Sequence, residues 1–282
     1  MILENSIQDL FKQKGKTTVI GVNNPFLSND QNKIWFIVDG RINLSCTKVI
    51  NNEPIGKLQD FATVKDGDVF FGINLDAYNS LCFLASPQEE TTICELDLNV
   101  LKEFVAKNES SRKVVEEIIY NWLSTLFKSW EEGFSTIQPE PDVLLQPGQN
   151  EKVEKNKIIT SFGQIIWCET NKPKSFMYND LVATQKETTE IVLPLSRKVY
   201  VRLLEETEVA SYEIEGYTEL NKIWNGLIDF HEIVLGVQSI RFSHEEEAEK
   251  ERLIKKHKRS EEHTSELQSH HDLVCRLLLE KK

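Results

Sequence analysis

The sequence predicts a mainly β chain with some α: two tandem β-rolls (jelly rolls), each closed by helices, the whole ending in a charged helix. Three observations carry this. Over about the first 96 residues, short alternating apolar runs recur every ~8 to 12 residues between turn signals, the rhythm of a sandwich or small barrel and not of a βαβ sheet. The same rhythm returns after residue 150. Each stretch is followed by a tryptophan-containing segment whose apolar residues follow the 3.6-residue helical period. The expected division is a first roll over 1–108, a helical connector over 109–134, a linker over 135–150, a second roll over 151–218, and a closing helix with charged connector over 219–258.

In the first roll, strands are expected at Thr17 to Val22, Ile34 to Val38, Arg41 to Val49, Lys57 to Thr63, Val69 to Ile73, Leu81 to Ala85 and Thr91 to Leu96. Turns fall at Asn23-Asn24-Pro25, Asp39-Gly40, Asn51-Asn52-Glu53-Pro54 and Asp66-Gly67-Asp68, where Gly and Asn supply positive φ and Pro fixes its own. Asp97 is placed to cap a short helix with Leu98, Leu101 and Val105 on one face. A longer helix follows, its stripe running Val114, Val115, Ile118, Ile119, Trp122, Leu123, Leu126, Phe127 and Trp130, with Gly133 as C-cap. The aromatics on this stripe read as core.

Residues 135–150 are rich in Pro and polar residues and read as a linker. Strands then resume at Ile158 to Ser161, Gly163 to Glu169, Ser175 to Tyr178, Glu190 to Leu193, Arg197 to Leu204 and Glu208 to Glu213. Gly163-Gln164-Ile165-Ile166-Trp167-Cys168 echoes Gly40-Arg41-Ile42-Asn43-Leu44-Ser45-Cys46, which suggests a tandem duplication. The second closing helix carries Leu220, Ile223, Trp224, Leu227, Ile228, His231, Val234 and Leu235 at helical spacing. It runs on into the charged stretch 244–258, where Glu246–Lys250 and Glu251–Lys255 are favourable (i, i+4) pairs.

The 282 residues are 28% charged and 40% hydrophobic, with a formal charge of −12, which argues against a nucleic-acid binder because phosphate neutralisation needs a dense basic face. No basic segment followed by an apolar one opens the chain, and no apolar run reaches the ~20 residues of a membrane helix. Cys46, Cys82, Cys94, Cys168 and Cys275 show no metal-ligand spacing and read as structural thiols of a reducing compartment. Arg259 to Ser269 (RSEEHTSELQS) and Leu273 to Lys281 (LVCRLLLEK) resemble, in frame, the translation of the two constant blocks of a short-read sequencing adapter, with His270 and His271 in the variable index between them. Residues 259–282 are therefore expected to be adapter-derived, and His263, His270, His271 and Cys275 form no metal site. Without them the chain carries 29 basic and 40 acidic residues, a formal −11.

The first 230 residues contain no histidine, so neither roll can hold a His-x-His metal site or a Ser-His or Cys-His nucleophilic pair. His231 lies on the apolar side of its helix; it can serve a distant Cys in principle, but a satisfied core histidine is the ordinary reading. The paired carboxylates Glu89-Glu90, Glu116-Glu117, Glu131-Glu132 and Glu205-Glu206 read as solvated faces. No phosphate-cradling motif of the P-loop or dinucleotide type is present. No catalytic residue, metal or cofactor is assigned.

One segment has a chemical likeness. Gly67-Asp68-Val69-Phe70-Phe71-Gly72 resembles the corner that opens the phosphate cassette of cyclic-nucleotide-binding β-rolls. The cassette should continue into an Arg-Ser/Thr-Ala that pairs the cyclic phosphate, yet the chain reads Ile73-Asn74-Leu75-Asp76-Ala77-Tyr78-Asn79 and has no arginine between Arg41 and Arg112. Asp76 would repel the phosphate. The expectation is a cyclic-nucleotide-binding-like roll whose cassette, at Gly67, Asp68, Phe71 and Gly72, is degenerate.

Taken together, Ser6 to Phe11, Asn23 to Leu27, Ile34-Trp35 with Asp39-Gly40, Val115 to Phe127 and Trp224 to Gln238 with the charged EAEKERL run resemble the N-terminal region of the permease/ATPase subunit of NHLP-type bacteriocin export ABC transporters. The type is the non-peptidase member. The resemblance covers 1–258 and implies a parent on the cytoplasmic side of the bacterial inner membrane, with membrane and ATPase domains, using ATP and Mg, outside these residues. Implied partners are a peptidase-containing transporter subunit, a membrane fusion protein and a precursor peptide, with a dimer possible. The alternative is a soluble cyclic-nucleotide-like sensor joined to a different output domain.

Overall fold

The computed structural model describes residues 5–73, 81–131, 140–162, 165–171, 175–178, 181–184, 190–196, 199–204, 211–236, 238–239, 243–244, 247–248 and 250–255. Residues 1–237 form one compact unit and 238–282 a second.

The first unit opens on helix α1 (Asn5–Lys14), followed by β1 (Lys16–Ile20), β2 (Phe26–Leu27), β3 (Lys33–Asp39), β4 (Arg41–Ile50), β5 (Glu53–Lys65), β6 (Val69–Phe71), β7 (Leu81–Pro87) and β8 (Thr91–Asp97). These strands make two four-stranded sheets, ordered β1-β8-β3-β6 and β2-β7-β4-β5, the connectivity of a jelly roll. Helices α2 (Leu98–Lys107) and α3 (Glu109–Glu131) come next. The second roll is β9 (Val143–Leu145), β10 (Asn150–Glu154), β11 (Ile158–Ser161), β12 (Ile166–Asn171), β13 (Ser175–Tyr178), β14 (Leu181–Thr184), β15 (Glu190–Leu195), β16 (Val201–Leu203) and β17 (Ser211–Tyr217), closed by a helix over 220–236, here α4.

The second roll's sheets run β10-β17-β12-β15 and β14-β13-β16-β11-β9. Counting β10 as the first strand of a roll and β17 as the eighth, both rolls share the orders 1-8-3-6 and 2-7-4-5. β9 is an added edge strand, parallel to β11. The duplication is therefore present in the topology. The sequence echo that suggested it joins β4, a fourth strand, to β12, a third, so those glycine-led motifs are not equivalent positions.

Turn chemistry fixes several of the connections. Asn51 (φ 52°) and Asn52 (φ 63°) join β4 to β5, and Gly40 (φ 102°) joins β3 to β4, all in the left-handed region those residues tolerate. Asp97 caps α2 as expected, its Oδ1 accepting from the Asn99 N–H at 2.8 Å. α1 and β2 were not expected. Leu10 and Phe11 of α1 are buried, and Phe11 lies 5.5 Å from Phe36 on β3. The thiol of Cys94 on β8 donates to the Phe11 carbonyl at 3.1 Å, pinning the helix to the sheet.

Two faces of the first roll follow from the β3–β6 register. Trp35 stands opposite Phe70 and Ile34 opposite Phe71. Trp35 and Phe70 stack at 5.1 Å and meet Phe26 of the other sheet, so they fill the roll's interior. Ile34, Phe36 and Phe71 point the other way, towards the helices. The α3 stripe is core as expected: Val114, Val115, Ile118, Ile119, Trp122, Leu123 and Leu126 are all buried. The side chains of Phe127 and Trp130, and the Gly133 cap, lie outside the described residues. The linker expected over 135–150 contains β9, which the brevity of its apolar run concealed.

α4 is the element shared by the two rolls. Gly226 lets it sit on β12, because a Cβ there would lie 2.1 Å from Cε3 of Trp167. In the second unit, residues 250–255 are helical, with Leu253 and Ile254 exposed and Lys255 paired to Glu251 at 3.5 Å, as the charge spacing predicts. Glu246 and the adapter-like 259–282 lie outside the described residues. No helix among the described residues is long and apolar enough to cross a membrane.

Two substitutions test this account by urea unfolding. Asp97→Ala should cost about 1 kcal/mol through loss of the α2 cap. Gly226→Ala should destabilise by about 1–3 kcal/mol through overpacking against Trp167. Ala outranks Gly in an exposed helix by about 1 kcal/mol, so a stabilised Gly226→Ala variant would show that the close approach is absent.

Candidate functional site

The residues read as a degenerate cassette frame β6: Gly67 and Asp68 lie in the turn before it, Phe71 ends it and Gly72 opens the corner after it. Gly67 turns with φ 84° and donates its N–H to the Ile37 carbonyl at 2.9 Å. Asp68 spends its carboxylate on the same turn, Oδ2 accepting from the Lys65 N–H at 3.0 Å. Gly72 runs so close to the preceding loop that a Cβ would lie 1.8 Å from the Asp30 carbonyl oxygen. Its N–H donates to Lys33 O, and that of Ile73 to Ser28 O, both at 2.9 Å. The corner is thus stitched to residues 28–33. Residues 74–80, including Asp76, lie outside the described residues.

Phe71, the remaining cassette residue, points at the helices. Its ring lies 6.3 Å from Trp122 of α3 and 6.5 Å from His231 of α4. Trp122 donates Nε1–H to His231 Nε2 at 2.7 Å across 109 positions of sequence, with both side chains buried. Acceptance at Nε2 places the imidazole proton on Nδ1. Burial pulls the His231 pKa down from 6.5 to about 3, so the ring is neutral. Its contribution to stability is fully present above about 6.5 and is lost as pH falls towards 3. The ordinary reading of His231 as a satisfied core histidine holds; its partner was not legible from spacing.

Two further contacts join the same helices. Lys102 Nζ of α2 sits 5.6 Å over the Trp224 ring of α4, and burial lowers its pKa. The Arg112 guanidinium of α3 donates to the Thr218 carbonyl just ahead of α4, and pairs with Glu116 at 2.8 Å. Between the corner and α4 lies a cavity of about 20 Å³, room for about one water, lined among others by Gln31, Gly72, Ile73, Trp224, His231 and Glu232. The buried Trp224 Nε1–H has no acceptor.

In the second roll the corresponding corner, between β15 and β16, is closed differently. Ser196 and Val199 exchange backbone hydrogen bonds at 3.0 and 2.9 Å, closing a short connection. Elsewhere on this roll is an open polar cleft of about 400 Å³, which the sequence reading missed although Glu213, Glu215 and Tyr217 alternate along β17. Lys222 bridges Glu169 at 2.7 Å and lies 4.7 Å over the Tyr217 ring, whose hydroxyl donates to Glu215 at 2.6 Å. Burial first, then the neighbouring carboxylates, push the Tyr217 pKa up.

The cysteines are structural in placement. Burial pushes the thiols of Cys46, Cys82 and Cys168 up to about 12, which leaves no thiolate near neutral pH. Cys275 lies outside the described residues. Among the described residues no group of three or more His, Cys, Asp or Glu is placed to hold a metal ion.

No family model matches the chain, and no curated protein matches it. Solved structures resemble part of it. Reduced, ligand-free CprK is 12% identical over 49% of this chain and 63% of its own, with a TM-score of 0.37. A CooA mutant from Carboxydothermus hydrogenoformans is 14% identical over 45% of this chain and 78% of its own, with a TM-score of 0.34. The reduced CO-sensing protein from R. rubrum is 14% identical over 46% of this chain and 57% of its own, also at 0.34. The roll assignment rests on the strand order itself: two β-rolls of jelly-roll order in tandem.

Proposed function

We propose that the chain is a non-catalytic regulatory module whose paired rolls have given up cyclic-nucleotide binding, dock a partner peptide or subunit, and pass that event through α3 and α4 to an output domain. The observation that carries this reading is the state of the two corners. The first is tied to residues 28–33, with Phe71 turned to the helices, and the second ends in a tight turn. The missing arginine between Arg41 and Arg112 points the same way.

Two classes of output domain fit such a module. A peptide-exporting ABC transporter is supported by the sequence blocks from Ser6 to Gln238 that resemble NHLP-type exporters. In that case ATP and Mg belong to domains outside residues 1–258, and the docked species is a precursor peptide or the peptidase-bearing subunit. A different output domain is the second reading, since the strand order of the rolls fixes no particular output. The gene downstream of codon 258 separates them: apolar spans of ~20 residues favour the exporter, and their absence favours the other class.

Calorimetric titration of the full chain tests the shared reading. Cyclic AMP and cyclic GMP should give no binding heat up to about 1 mM, while a bacteriocin leader peptide or the peptidase-bearing subunit should bind. Micromolar affinity for either nucleotide would overturn the shared reading, and failure of both the leader peptide and that subunit to bind would overturn the exporter reading.

A further inference from the structure

α4 is held on two sides by contacts of different quality. Towards the second roll it has the Gly226 approach to Trp167, the Lys222–Glu169 ion pair at 2.7 Å, and Asp229, whose carboxylate accepts from the Val192 backbone N–H. Towards the first roll it meets the 20 Å³ cavity, the Trp224 indole without an acceptor, and one hydrogen bond between buried side chains, Trp122 to His231. Each side buries an indole N–H without an acceptor, Trp167 on the second roll and Trp224 on α4; the side towards the first roll is the one that yields first, because there α4 borders a cavity.

We infer that the Trp122–His231 hydrogen bond is a latch: it holds α4, carried by the second roll, in the cassette corner of the first roll, so that the two rolls behave as one unit while it is made and separate when it breaks. The corner that in a nucleotide-binding roll receives a ligand here receives the chain's own helix. This holds whatever the rolls bind.

Protonation is one way to break the latch, since a charged imidazole has no lone pair left at Nε2. The groups packed on His231 from outside α4 do not compensate the charge: Trp122 from α3 and Phe71 from β6 are neutral. Lys102 of α2 stands over Trp224, and Arg112 of α3 is paired with Glu116. On α4 itself Glu232 lines the cavity, and Asp229 is pushed up to about 6 by burial first and Glu232 next. Asp229 therefore contributes stability that is present below 3.8 and lost as pH rises through about 6, opposite in sign to His231.

The test is hydrogen exchange by mass spectrometry on the full chain, with urea unfolding followed by fluorescence and far-ultraviolet circular dichroism. Trp122→Phe removes the donor, and His231→Gln keeps an acceptor that does not titrate. At about pH 7.5 the wild type and His231→Gln should unfold residues 1–237 in one transition, whereas Trp122→Phe should split it into two and speed exchange in α4 and β6 by about tenfold. As pH falls from 6.5 towards 3, α4 exchange should rise in the wild type relative to His231→Gln. A single transition with unchanged exchange in Trp122→Phe, or a wild type and His231→Gln that stay parallel across that pH range, sinks the latch. Neither readout uses a ligand, so failure here is distinguishable from failure of the docking reading.

Discussion

The arrangement of the first unit depends on one polar contact inside an apolar junction, the hydrogen bond from Trp122 Nε1–H to His231 Nε2. Two rings buried among Phe71, Phe83 and the α4 stripe each carry a nitrogen that needs a partner. Leaving either unpaired costs about 1–3 kcal/mol, so the pair constrains everything that brings them together. α3 must present Trp122 at one register, α4 must present His231 at another, and the imidazole must stay neutral with its proton on Nδ1. The corner after β6 then has to accept a helix, and Gly72, with no room for a Cβ, lets the chain draw in against Asp30 to make that seat.

This constraint explains why duplicated rolls have unlike corners. Both have the strand orders 1-8-3-6 and 2-7-4-5, so the connection between sixth and seventh strands falls at matching places, over 72–80 in the first roll and 196–200 in the second. The first keeps a longer connection, whose described residues Gly72 and Ile73 line the cavity beside α4. The second has collapsed to a turn between Ser196 and Val199. Its remaining polar surface is the cleft beside α4, where Lys222 and Tyr217 are already engaged with Glu169 and Glu215.

What was legible in the sequence follows how local each cause is. Asp97 as cap, the positive-φ asparagines at 51 and 52, the α3 stripe and the strands Ile158–Ser161 and Ser175–Tyr178 are fixed by neighbours within a few positions, and all were readable. β2, β9, β10 and β14 were not expected, since strands of two to five residues owe their state to partners far along the chain. α1 was missed although Leu10 and Phe11 sit at helical spacing from Ile7, a signal masked by the strand rhythm that follows. Of the candidate site, the degenerate cassette was visible in the absence of arginine, but not what replaced its ligand. That depends on a contact across 109 positions, which no periodicity encodes.

The helix that serves both rolls also sets how the unit meets acid. Through most of the window between the unfolded and folded pKa of His231, the buried imidazole favours the neutral state and acidification weakens the fold. Asp229, three residues from the end of the Gly226 contact and tied to Val192, is protonated more readily in the folded state and works in the other direction from about 6 down to 3.8. The two titrations offset in free energy over that overlap but act on different faces of α4, His231 on the first roll and Asp229 on the second. Moderate acid therefore favours opening of α4 from the first roll, where an exposed His231 takes up a proton, while the burial of Asp229 opposes its release from the second. A helix held this way transmits a change between the rolls without the fold as a whole coming apart.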